Sequence, residues 1–80
     1  MKLLGSEVKQ TIGYVTNYGY RAIGLREIKG YYFVALIDEG DVTYRPYSTL
    51  EKALKEYDKQ YDLLYLMFLE YEDTEVEDDD

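Results

Sequence analysis

Histidine and cysteine are absent from this chain of 80 residues. The side chains that most often serve as general base and as thiol nucleophile are therefore missing. Acids are plentiful, and Asp38, Glu39 and Asp41 stand close enough to be weighed as paired carboxylates or as a calcium loop. They flank Gly40 in a turn-like stretch, where acids serve solubility and turn geometry. The spacing and terminal Glu of a calcium loop are not there. Ser6 and Ser48 are the only serines, and Ser48 is wanted as a helix cap. Gly13, Gly19 and Gly24 match no phosphate-cradling pattern. What remains is ionic and apolar contact, so the expectation is a protein without enzymatic activity, metal or cofactor.

The ionic part is unevenly spread. The formal net charge is -8. Residues 1–69 hold nine acids and nine bases, and the whole excess lies in Glu70, Glu72, Asp73, Glu75, Glu77, Asp78, Asp79 and Asp80. This is a neutral body with an acidic tail. Residues 72–80 contain one core-type side chain, Val76, too little to offset the entropy of ordering, so a disordered tail is expected. Such a tail either solubilises the chain or imitates nucleic acid in the basic groove of a partner. A second reading starts from Lys9, Arg21, Arg26 and Lys29, interleaved with tyrosines. These would make a sheet face that binds DNA or RNA, against which stand the neutral body and the repelling tail.

Two resemblances bear on this choice. Three strands running into Tyr47-Ser48-Thr49-Leu50-Glu51-Lys52-Ala53-Leu54 resemble the small sheet-plus-helix DNA-binding domains of phage integrases. The basic sheet face of that family is thin here, so its DNA binding is not carried over. Eleven tyrosines with the acidic tail resemble, in composition, virus-encoded antagonists of host defence, the anti-CRISPR proteins among them. That resemblance implies a viral inhibitor in the host cytoplasm, occupying a nucleic-acid-handling host protein.

The elements that must carry these residues begin with Ser48–Tyr71. Leu50, Leu54, Tyr57, Tyr61, Leu64, Phe68 and Tyr71 alternate at spacings of four and three, the period of one helical face. Ser48 with Glu51 fits a capping box, and Pro46 bars an earlier start. Before it, residues 8–16 carry strand types with Val8, Gln10, Ile12 and Tyr14 on one face. A helix competes there, and Gly13 counts against it. Asn17-Tyr18-Gly19 reads as a hairpin loop. Residues 20–28 form a second strand, with Ile23 and Leu25 opposite Ala22 and Gly24. Lys29-Gly30 turns into the unbroken apolar run 31–37, a strand covered on both faces. Asp38–Asp41 turns again into a short edge strand, 42–46. The fold class is α+β: a small antiparallel meander of three to four strands packed against one long C-terminal helix, a single domain over residues 1–71.

The second half of the helix sets the functional expectation. Leu63, Leu64, Tyr65, Leu66, Met67, Phe68 and Leu69 are apolar all the way round, and one sheet covers only one side. Leu63, Leu66, Met67 and Leu69 therefore need a cover: Met1, Leu3 and Leu4, a second copy, or a partner protein. A homodimer is expected, because a chain this small has a thin core and no disulfide to add. Together with the acids from Glu70 onward, these four residues form the expected partner-binding set. Met1–Gly5 has no apolar signal run and no stretch approaches the ~18 apolar residues of a membrane span, so a cytoplasmic location is expected. The scarcity of Asn, Gln and Cys hints at a thermophilic source.

Overall fold

The computed structural model describes the backbone of residues 2–78 and the side chains through residue 72. Four strands, β1 (Ser6–Thr16), β2 (Gly19–Ile28), β3 (Tyr31–Asp38) and β4 (Asp41–Tyr47), lead into one helix, α1 (Leu50–Asp78). The sheet is an antiparallel meander in the order β1-β2-β3-β4, and α1 lies across one face. The fold is α+β, as the periodicities require.

The turns are chemically legible. Lys29-Gly30 and Glu39-Gly40 are two-residue hairpin loops with positive φ at both positions, 52° and 85° in the first, 53° and 98° in the second. That backbone twist matches the flanking strands, and glycine supplies its costlier half. In the β1–β2 hairpin Gly19 has φ 98°. There the buried Thr16 hydroxyl donates to the Gly19 carbonyl at 2.9 Å and accepts from the Tyr18 amide at 3.1 Å.

β1 is a strand, which settles the competition with a helix, but its alternation breaks. The register slips between Glu7 and Lys9 and again between Lys9 and Ile12. These bulges reverse the face of what precedes them. Lys9 sits on the helix side with its ammonium 5.3 Å from the centre of the Tyr57 ring, on the same face as Ile12 rather than opposite it.

The core lies between sheet and helix. Ile23 and Leu25 of β2 and Val34 of β3 meet Ala53, Tyr57 and Leu64 of α1. Leu25, Val34 and Ala53 are fully buried. Tyr57 reaches past the core to donate its hydroxyl to the Gln10 carbonyl at 3.0 Å. The cap differs from expectation. The Lys52 amide donates to Thr49 Oγ1 at 3.3 Å, so Thr49 is the cap and Ser48 lies one residue outside. With Lys52 at the third helical position, Glu51 cannot close a capping box.

The opposite sheet face is covered as well. Ala22, Ala35 and Ile37 are buried there, and Gly24 packs against the Thr11 side chain. Leu3, from the segment before β1, borders a hollow there with Thr11, Tyr20 and Ile37. The Arg26 guanidinium donates to the carbonyls of Leu4 at 2.9 Å, Gly5 at 2.7 Å and Leu3 at 3.4 Å. The Leu4 amide donates to the Tyr44 hydroxyl at 3.0 Å. These bonds strap the segment against the sheet.

Candidate functional site

The residues that could do chemistry are dispersed, and several have a structural partner. Asp38 pairs with Arg21 at 3.3 Å, and Glu39 accepts from the Tyr20 amide at 2.9 Å. The four bases weighed for nucleic acid do not share a face. Lys9 and Arg21 lie on the helix side, Arg26 is on the other face under its three carbonyls, and Lys29 sits in the β2–β3 turn. Arg21 stacks against Tyr18 as well as pairing with Asp38. Its Nε is buried without a hydrogen-bond partner, beside a hollow of about 120 Å³ bounded by Leu36, Ile37, Gln60, Leu63 and Met67. Among the described residues no group of three His, Cys, Asp or Glu side chains could hold a metal ion.

Tyrosines gather where α1 crosses β1. The Tyr14 and Tyr61 hydroxyls share a hydrogen bond at 3.4 Å. Tyr14 stacks on Phe68 with ring centres 4.5 Å apart, and Tyr61 lies parallel to Tyr65 at 6.4 Å. The bond from Tyr61 raises the Tyr14 phenol above its ordinary value. Burial does the same for Tyr57 and Tyr47. These shifts keep the hydroxyls protonated, which suits packing and hydrogen bonding and does not supply a base.

The site with unmet physical demand is the outer side of α1. At 1.5 Å per residue, the 29 residues of α1 span about 43 Å. The eight residues of β3 span about 26 Å at the usual strand rise. The helix outruns its sheet, and the radius of gyration, 14.1 Å, exceeds the roughly 12 Å of a compact chain this size. Leu66 is 59% exposed, Leu63 47% and Leu69 39%, with Tyr65 beside them at 42%. Leu63 and Met67 both border the hollow, but Met67 is half-buried while Leu63 is exposed, so Met67 belongs less to this surface than its three neighbours. Leu3 and Leu4, weighed as a cover, are held on the far face of the sheet. Among the described residues, Leu63, Leu66 and Leu69 stay exposed.

Charge frames the leucines. Lys52, Lys55 and Lys59, the only bases in α1, are spaced three and four residues apart and are all exposed. That spacing puts them on one side of the helix, in line with Leu66. Asp62 follows on the same side, then the leucines, then Glu70. The rest of the expected acidic contact set, Asp73, Glu75, Glu77, Asp78, Asp79 and Asp80, lies outside the described side chains, as does the expectation about the order of the tail. The lysine stripe is the element that a search for chemistry passed over. Its signal was in the sequence, as a three-four spacing of one charge ahead of a run of the other.

No helix among the described residues is long and apolar enough to cross a membrane. No family model, curated protein or solved structure matches the chain.

Proposed function

We propose that this chain is a non-catalytic protein-association module. Its sheet is a scaffold, and its contact surface is the outer side of α1 around Leu63, Leu66 and Leu69, extended by the acidic run that begins at Glu70. One observation carries the reading: three leucines and Tyr65 stand exposed together on one helix, while Leu3 and Leu4 are held on the far face of the sheet. An apolar patch flanked by charge marks a protein contact more often than a bare surface. The acidic run favours a partner surface that is basic, and salt should weaken the association.

The reading is tested by affinity capture from source cells with wild-type chain and with Leu66→Asp, both first shown to be folded by circular dichroism. A protein held by the wild type and lost by the variant is expected. Recovery of the same proteins by both chains would put the contact surface elsewhere.

A further inference from the structure

We propose that the hollow between α1 and the sheet, where β2 begins and β3 ends, is a binding site for a small neutral molecule. The ligand class is an apolar body carrying one acceptor oxygen, such as a short cyclic or branched ketone. Its polar contact is Arg21 Nε, and its apolar contacts are Ile23, Leu36, Leu64 and Met67.

Arg21 supplies the polar half of the site. Its guanidinium is held from two directions: Nη2 pairs with Asp38 Oδ2 at 3.3 Å, and the group lies 5.6 Å from the centre of the Tyr18 ring. Nε is buried, and among the described residues it has no hydrogen-bond partner. A buried N–H without an acceptor is destabilising, and such groups are rare in folded proteins. An oxygen in the hollow that Arg21 borders completes it. That oxygen belongs to a neutral group, because Asp38 already balances the arginine charge and a carboxylate would stand beside it as a like charge. Water fits the site poorly, since a held water needs about two to four polar partners. Gln60, the other polar side chain on the lining besides Asp38, donates to Glu56 at 2.6 Å.

The apolar half sets the size. The hollow measures about 120 Å³, and a dry apolar cavity of about 150 Å³ accepts benzene, so the ligand has about six heavy atoms. Ile23 and Leu64 are buried members of the core and give the floor a fixed shape. Leu63 is exposed and Met67 half-buried, so the rim on the α1 side reaches solvent. Methionine is unbranched and adapts to what enters. A mainly apolar hollow with one placed donor is the usual composition of a small-molecule site, at a scale below that of drug-sized ligands.

The experiment is a titration followed by NMR, with cyclopentanone as the probe and cyclopentane and cyclopentanecarboxylate as its comparisons. The chains are the wild type, Arg21→Lys and Met67→Phe, each first shown to be folded by circular dichroism. In the wild type, cyclopentanone should shift the Arg21 Nε–H signal and the methyl signals of Ile23, Leu36 and Leu64 in a saturable way. Cyclopentane should bind about three- to tenfold more weakly for want of the acceptor, and the carboxylate no more tightly than the ketone. Arg21→Lys keeps a charge for Asp38 and removes Nε, so it should bring the ketone down to the level of the hydrocarbon. Met67→Phe fills the hollow and should abolish binding of both. Shifts that do not saturate, or that are scattered away from these residues, overturn the site. Equal affinity of wild type for ketone and hydrocarbon overturns the part given to Arg21, and tighter binding of the carboxylate overturns the neutral ligand class.

Discussion

Replacing Arg26 by Ala should release the N-terminal strap without unfolding the sheet. The three guanidinium bonds run to the carbonyls of Leu3, Leu4 and Gly5, two of them short, at 2.9 and 2.7 Å. A hydrogen bond to a charged group contributes about 1.5–3 kcal/mol when shielded. These carbonyls border solvent and regain water once freed, so the lower end applies and only to the short pair. The docking of the strap should weaken by about 2–3 kcal/mol. Because the strap opens locally, the loss appears first in hydrogen exchange, not in global melting. The Leu4 amide, held by Tyr44 at 3.0 Å, should lose its protection. The share that reaches the core, on the order of 1 kcal/mol, should lower Tm by about 4–8 °C. Arg26→Lys should rescue little, since an ammonium cannot fork across three carbonyls. Unchanged protection at Leu4 together with an unchanged Tm would refute the strap. It would also return Arg26 to the list of bases able to meet a phosphate.

Two further outcomes follow from the same contacts. Thr49→Ala should cost about 0.5–1 kcal/mol, the low end for a cap because its bond is long, while Ser48→Ala should be neutral; denaturant titration of the pair decides which residue starts α1, and equal losses would contradict the assignment. Burial raises the Tyr57 phenol, and Tyr47 and Tyr14 are raised as well. The unfolded chain therefore ionises first on going alkaline. This contribution to stability is complete below about pH 10 and falls as pH rises through the folded-state values. Tyr57→Phe should cost about 1 kcal/mol at neutral pH, from the lost bond to Gln10, and flatten the decline above pH ~10. A decline as steep as the wild type's would contradict the role given to Tyr57.

Much of the scaffold was legible because its signals are local. Lys29-Gly30 and Glu39-Gly40 announce hairpins through their own φ preferences, and the Leu54-Tyr57-Tyr61-Leu64 spacing announces a helix. What escaped depends on distant groups or on a shift in count. The parity of β1 fails because two bulges shift it, and no single residue marks them. Ser48 and Thr49 are both competent acceptors, and only the backbone chooses between them. Ala53 was missed because a small side chain carries a weak apolar signal, although it sits fully buried on the sheet-facing side of α1. The strap was invisible because carbonyls 21 to 23 residues from Arg26 leave no trace in composition. The same bonds explain why the basic residues fail to form a patch. The exposed leucines of α1 were legible from the outset, since an all-round apolar turn cannot be covered by one sheet.

The absence of cysteine from the sequence allows the central claim to be tested by single-thiol labelling. A lone cysteine at Leu66 stands on the exposed outer side of α1, and one at Val15 stands exposed on the sheet. In an extract of source cells, Leu66→Cys should be shielded from a maleimide reagent that labels it freely in buffer, while Val15→Cys should be labelled equally in both. Equal labelling of Leu66→Cys in buffer and in extract would contradict a contact surface on α1.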